Sequence, residues 1–237
     1  MARVRKQDGL GFAFRFAAFV LHPTMRLITK RDWRGADNLD VDSGIVVAAN
    51  HISWFDPIVI SHILWDYDRP PRFLAKDTLF RAPVVGWIIR NAGQIPVVRG
   101  TKDAAVAVQA AVDAARAGEC VLVYPEGTIT KDPDLWPMAA KTGAARIALT
   151  AGVPVIPMAH FGAQKVMGPY RKEFKAFPRK TMHVLVGPPV DLDDLRTGDE
   201  PDAEALREAT DRVMAAITAL LRDVRKEQEQ TEGREAA

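Results

Sequence analysis

The chain has one cysteine, three tyrosines and no long uncharged apolar run in 237 residues. A single thiol rules out a disulfide framework or a thiolate metal cluster within one chain, and Cys120, inside Cys120-Val121-Leu122-Val123, reads as small core packing. The N-terminal region's longest stretch without a charge, Phe16 to Leu21 followed by His22-Pro23, falls well short of the roughly 18 apolar residues that argue for a spanning helix. It is not a cleaved signal either, because Arg15 interrupts the apolar segment and no small-residue cleavage site follows. Repeats and low-complexity tracts are missing, so one domain around one core is the default for this length.

The net charge is only +2, but it is unevenly spread. Residues 1–35 carry eight basic side chains (Arg3, Arg5, Lys6, Arg15, Arg26, Lys30, Arg31, Arg34) against Asp8 and Asp32, a balance of +6 that leaves −4 for the rest. The same segment holds Leu10, Phe12, Phe14, Phe16, Phe19, Val20 and Leu21. An apolar face rimmed by cations suits a helix lying in the headgroup layer of an anionic membrane, and equally a helix packed on the protein body with its cations solvated. We divide the chain into a membrane-associating helical segment at 1–35, an α/β domain at 36–225 and a charged, flexible tail at 226–237.

Apolar, β-branched runs at 45–48, 72–75, 95–98, 120–124, 154–158 and 182–186 alternate with helical patterns at 57–65, 83–91, 102–117 and 140–150. This alternation predicts a mostly parallel or mixed central sheet flanked by helices. Leu206, Val213, Ile217, Leu220 and Val224 keep helical spacing behind Pro201 and predict a final packing helix.

The first strand, Gly44-Ile45-Val46-Val47-Ala48-Ala49, runs directly into Asn50-His51-Ile52-Ser53-Trp54-Phe55-Asp56-Pro57. Imidazole can take a proton from a hydroxyl near neutral pH, and a carboxylate on its other nitrogen would fix the tautomer and stabilise the imidazolium. Positions five apart on one straight helix diverge by about 140°, so His51 and Asp56 can meet only across a bend over Ile52 to Phe55. Asp56-Pro57 would then open the next helix, with Asp56 as N-cap and proline at the first helical position. From these residues alone, catalytic pair and simple cap both stay open. Ser53 is better suited to forming the turn than to acting as a nucleophile.

The Asn-His-x4-Asp pattern resembles the first motif of the glycerolipid acyltransferases that include 1-acylglycerol-3-phosphate acyltransferase. Gly93-Gln94-Ile95-Pro96-Val97-Val98-Arg99, Tyr124-Pro125-Glu126-Gly127-Thr128 and Val153-Pro154-Val155-Ile156-Pro157 are similar to the second, third and fourth motifs, in the family's order. Four ordered motifs between about Gly44 and Pro157 are far more specific than any one alone.

The resemblance implies transfer of a fatty acyl group from acyl-CoA or acyl carrier protein to the free hydroxyl of a lysophospholipid in phospholipid biosynthesis, without a covalent acyl-enzyme. His51 would be the base and Asp56 its orienting group. Substrate-binding roles fall to Asn50, Lys76, Arg99, Glu126, Gly127, Thr128 and Lys141. Arg99 would meet the acceptor phosphate with two parallel hydrogen bonds. Glu126, a poor neighbour for phosphate, would pair with Arg99 or Lys141. The family usually has arginine two residues past the motif glycine, where this chain has Ile129, and Lys131 is a candidate replacement. Pro154 and Pro157 would shape an edge strand beside the acyl channel. No metal or cofactor is expected beyond the thioester co-substrate, and no nucleic-acid partner. The expected location is the cytoplasmic face of the cell membrane, monotopic or peripheral. Three rivals stand beside this reading: the same chemistry on lyso-ornithine lipid, lysophosphatidylinositol or glycerol 3-phosphate; a metal-dependent hydrolase using His51, Asp56 and Glu126 with His62 near; and a non-catalytic membrane adaptor.

Overall fold

The structure, a computed structural model, describes residues 10–98, 103–171, 173–196 and 200–235. In chain order the elements are α1 (Phe12–Ile28), β1 (Thr29–Arg34), β2 (Ile45–Ala49), α2 (Asp56–Asp66), β3 (Pro71–Lys76), α3 (Asp77–Phe80), α4 (Pro83–Asn91) and β4 (Ile95–Val97). They continue with α5 (Asp103–Arg116), β5 (Cys120–Val123), α6 (Gly143–Ala151), β6 (Val155–Phe161), α7 (Ala163–Val166), β7 (Lys180–Val186) and α8 (Ala203–Glu235).

Seven strands form one mixed sheet in the order β1-β7-β6-β2-β5-β3-β4. Only the β6–β7 pairing is antiparallel. Strand β2 lies at the centre, pairing in parallel with β5 through Val46↔Val121 and with β6 through Val46↔Val155. All five of its residues are buried because helices cover both faces. Ile45, Val47 and Ala49 pack into the core that includes Val59, Ile60 and Ile63 of α2, while Val46 and Ala48 face Ala111 of α5, Ile147 of α6 and Ile217 of α8. That two-sided burial explains why β2 reads as a continuous apolar run.

Three expectations are corrected here. Thr29-Lys30-Arg31-Asp32-Trp33-Arg34 forms strand β1, paired in parallel with β7, so the N-terminal segment gives its last residues to the sheet. This strand lies at the sheet's edge, where charged side chains find solvent. Strand β6, with Pro157 in register with Ala48, lies inside the sheet and not at its edge. The proline is tolerated because its carbonyl still accepts from Gly187 N–H at 2.9 Å. Finally, α8 continues to Glu235, so the segment expected to be a flexible tail after residue 225 extends the helix instead. Arg34 pairs with Glu227 there, which helps hold the helix against the body.

Gly44 enters β2 beneath the end of α5. A Cβ at this position would lie 1.9 Å from the Ala115 carbonyl oxygen and 3.0 Å from that of Glu119, both backbone atoms that cannot step aside. Gly44→Ala should therefore destabilise the fold by about 1–3 kcal/mol or more, read as a lowered denaturation midpoint. An unchanged midpoint would show that α5 can retreat from the strand.

Candidate active site

Parallel pairing brings the C-terminal ends of β2, β5, β3 and β4 to one edge of the sheet, the edge where open α/β sheets hold ligands. Asn50 and His51 leave β2 there, and Tyr124 to Thr128 leave β5 beside them.

The bend predicted between His51 and Asp56 is present, and one carboxylate oxygen makes it. Asp56 Oδ2 accepts from Ile52 N–H at 2.6 Å and Ser53 N–H at 2.8 Å, and lies 2.8 Å from His51 Nδ1. Asp56 is fully buried, so its charge is stabilised by these convergent donors and not by water. A carboxylate can only accept, which makes Nδ1 the protonated nitrogen of a neutral His51 and leaves the lone pair on Nε2. The carboxylate points back over the preceding turn and does not cap its own helix; Phe55 occupies the N-cap position, so Asp56 is the first helical residue and Pro57 the second, one position later than expected. Ser53 Oγ accepts from Phe55 N–H at 2.9 Å and donates to the Met167 carbonyl at 2.6 Å, so it builds the turn.

A second layer holds the pair in place. Asn50 and His160 bind each other through Asn50 Nδ2 to His160 O at 3.1 Å and His160 N–H to Asn50 Oδ1 at 2.9 Å. His160 Nε2 lies 2.9 Å from the Asn50 carbonyl and 3.7 Å from Asp56 Oδ2. Burial lowers the His160 pKa, so the ring is neutral and donates from Nε2. The Tyr124 ring stacks on the His51 imidazole, centroids 4.2 Å apart and planes 19° apart. Burial, and after it the Asp56 charge, raise the Tyr124 pKa well above its ordinary value, so this neighbour stays a neutral phenol.

The sequence had suggested a basic partner for Glu126, but among the described residues its carboxylate meets backbone amides. Its Oε1 accepts from His51 N–H at 3.0 Å and its Oε2 from Met138 N–H at 2.9 Å, so both oxygens are spent on backbone donors. Burial raises its pKa, and the two amide hydrogen bonds oppose that shift. The reciprocal bond from Thr130 N–H to the His51 carbonyl at 2.8 Å locks the β2 and β5 loops together. Gly127, at φ +70°, provides the turn, and Lys141 lies beside it, its Nζ at an ordinary contact distance of 3.5 Å from where a Cβ would stand. Thr128 is half-buried in the same loop, and Ile129 is almost wholly buried, turned into the protein where the family's arginine would reach a ligand. Lys131 and Lys76 are exposed, Lys76 at the end of β3, two strands or about 10 Å across the sheet from β2. Arg99 lies outside the described residues.

His62 does not join His51. It lies against His22 and Asp66 at the far end of α2, and among the described residues His51, Asp56 and Glu126 do not form a metal-ligating group. His160 and the stacking role of Tyr124 escaped the sequence reading. His160 ends a strand 110 positions from Asn50, and only strand pairing brings the two together.

A cavity of about 350 Å³ opens beside the His51–Asp56 bend, lined by Pro57, Ile58, Phe14, Ala18, Leu21 and Ile89 among others. Its walls come mainly from α1, α2 and α4, with Pro71 and Phe73 of β3, and are almost wholly apolar.

Comparison with known proteins fits this geometry. A family model described as Acyltransferase matches residues 30–160, which include the whole His51–Asp56 bend and the β5 loop. The chain belongs to the acyltransferase family. It is 33% identical over 140 residues to the chloroplastic 1-acyl-sn-glycerol-3-phosphate acyltransferase BAT2 of Brassica napus, covering 58% of this chain and 39% of that one. It is also 32% identical over 111 residues to the lyso-ornithine lipid O-acyltransferase of Pseudomonas aeruginosa, covering 47% and 40% respectively. The chain thus spans about two-fifths of the length of these curated relatives. The crystal structure of the 1-acyl-sn-glycerophosphate acyltransferase PlsC from Thermotoga maritima shares the fold, with a TM-score of 0.67 at 23% identity over 96% of this chain and 84% of that one.

Because one Asp56 oxygen serves two buried amides and an imidazole, removal and replacement of that oxygen should differ. Asp56→Ala should cost about 3 kcal/mol or more through orphaned buried donors, whereas Asp56→Asn, which keeps an acceptor oxygen, should cost far less. Urea denaturation of both variants checks this, and equal losses would refute the hub role.

Proposed function

We propose that this acyltransferase-family chain moves a fatty acyl group from an acyl thioester, on coenzyme A or acyl carrier protein, to the free hydroxyl of 1-acylglycerol 3-phosphate at a membrane surface. The observation that carries the reading is the His51 Nδ1–Asp56 contact of 2.8 Å, which leaves Nε2 as the free base at the ligand-binding edge of the sheet. Nε2 removes the acceptor's hydroxyl proton as the oxygen attacks the thioester carbonyl, and Asp56 stabilises the imidazolium that forms. The tetrahedral oxyanion collapses with cleavage of the C–S bond, and the imidazolium returns the proton to the departing thiolate. No enzyme nucleophile is required, because alignment of alcohol and thioester removes much of the barrier. The stacked Tyr124 ring and the Glu126 bond to the His51 amide keep the imidazole in its attacking orientation. Lys141 beside Gly127, with Arg99 and Thr128, supplies the anion-binding side, and the apolar cavity beside Pro57 accommodates an acyl chain.

The membrane reading is supported by the outer face of α1. Phe12, Phe16 and Phe19 are exposed there, with Arg15 and Arg26, while Val84, Val85 and Trp87 of α4 are exposed near by. The inner face is packed: Phe14 stacks on Trp65 at 5.7 Å, and Met25 and Ile28 are buried. Among the described residues no helix is long and apolar enough to cross a membrane. An in-plane position, with phenylalanines in the acyl boundary and cations at the headgroups, satisfies both faces.

A second acceptor class is favoured by Ile129. Its burial removes a phosphate contact, and a relative is named for lyso-ornithine lipid, whose headgroup is an amino acid. Thioester cleavage measured with lysophosphatidate, with lyso-ornithine lipid and with no acceptor separates the readings. Release only with lysophosphatidate supports the main proposal, release only with the amino-acid lipid supports the second, and acceptor-independent release or silence overturns both. His51→Ala should reduce transfer by a factor of about 10³ or more with an unchanged denaturation midpoint; an active variant would sink the base assignment. Replacing Phe12, Phe16 and Phe19 together by serine should shift the protein off anionic liposomes in a flotation assay while preserving its circular dichroism. Unchanged partitioning would return α1 to a packing role.

A further inference from the structure

His22 of α1 and His62 and Asp66 of α2 meet where the two helices cross, at the end of α2 away from the His51–Asp56 bend. His62 and Asp66 are four residues apart and share one face of α2, and His22 reaches them from the neighbouring helix. One donor atom from each residue falls within 4.8 Å of the others. His62 is almost wholly buried, yet its Nε2 has no hydrogen-bond partner, an expensive state for a polar atom in an apolar wall. We propose that these three side chains form a site for a divalent transition-metal ion of the zinc and cobalt class, bridging α1 to α2 beside the apolar cavity.

The donor set selects the ion. Two imidazoles and one carboxylate suit zinc, cobalt or nickel, whereas magnesium and calcium need shells built from oxygen. Ligand atoms around tetrahedral zinc lie roughly 3.4 Å apart, so the present spacing of up to 4.8 Å calls for only a small closure. Metal ligands must be deprotonated, and a neutral imidazole keeps one ring nitrogen's lone pair for a metal. Asp66 already holds an arrangement compatible with coordination. Its Oδ1 faces His22, while its Oδ2 accepts from Arg31 at 3.0 Å, leaving that arginine as an outer partner that fixes the carboxylate. Arg26 is 3.8 Å from Oδ1 and half-exposed, free to move aside. His22 and His62 both line the cavity, which offers an entry path and room for a water as fourth ligand.

Titration of the tag-free full chain with Co²⁺ tests the site, followed by visible absorption and by back-titration with Zn²⁺. The expected result is one Co²⁺ per chain with ligand-field bands of a four-coordinate ion, displacement by Zn²⁺, and a raised thermal midpoint in the presence of Zn²⁺. His22→Gln, His62→Gln and Asp66→Asn should each weaken Co²⁺ binding at least tenfold, while His51→Ala should bind as the parent does. His22→Gln alters a partly exposed ligand, so its metal-free thermal midpoint should match the parent's and its loss of affinity reports ligation and not unfolding. Absence of saturable Co²⁺ binding, parent-like affinity in a folded His22→Gln variant, or loss of binding in His51→Ala would each overturn the proposal.

Discussion

A single buried oxygen, Asp56 Oδ2, fixes the active geometry. It gathers two consecutive backbone amides and an imidazole nitrogen within 2.8 Å, and thereby turns a stretch that could have continued as regular structure into a tight bend. Charged acceptors make hydrogen bonds worth roughly 1.5–3 kcal/mol each, and a buried carboxylate without them would take up a proton. The acceptor oxygen and the bend therefore require each other. One oxygen satisfies all three donors, and only the bend brings the donors together. His51 gains its tautomer from the same arrangement, so its role as the proposed base follows from the local fold and needs no separate device.

Around this hub the protein spends its other polar groups on rigidity. Glu126 could have faced a ligand, yet both oxygens go to backbone amides on different loops, one of them the amide of His51 itself. His160 and Asn50 exchange hydrogen bonds between β6 and the end of β2, and Tyr124 covers one face of the imidazole. The loop leaving β2 is thereby tied to those leaving β5 and β6. Such bracing matters because a base misplaced by about 1 Å can lose 10²-fold in rate.

Much of this was legible in the chain. Each sheet strand from residue 45 onward coincides with a mainly apolar run, and in the central strands β2, β5 and β6 two-sided burial leaves almost no polar positions to obscure the signal. Strand β1 was not legible. As an edge strand its side chains reach solvent, so Lys30, Arg31 and Arg34 cost nothing and the sequence looks like a basic tail. The bend between His51 and Asp56 followed from their spacing alone, but the direction of the carboxylate did not. An aspartate before proline satisfies capping rules and backward hydrogen bonding equally well, and tertiary contacts decide. The same holds for Glu126, whose partners are backbone atoms that carry no residue-specific signal, and for His160, placed by a strand pairing distant in sequence.

The position of the cavity relates the remaining parts. It opens between α1, α2 and α4, with Pro57 and Ile58 at the start of α2 among its lining residues, directly after the carboxylate that orients the base. One face of α1 therefore walls this cavity, while its opposite face presents Phe12, Phe16 and Phe19 to the outside. A helix with apolar residues on both faces would be costly in water alone. It becomes reasonable where the outer face meets lipid, since a chain leaving the bilayer could then reach the cavity without crossing water. On this view the unusual composition of the N-terminal segment, apolar around most of its circumference and basic at its rim, reflects two hydrophobic surfaces served by one helix.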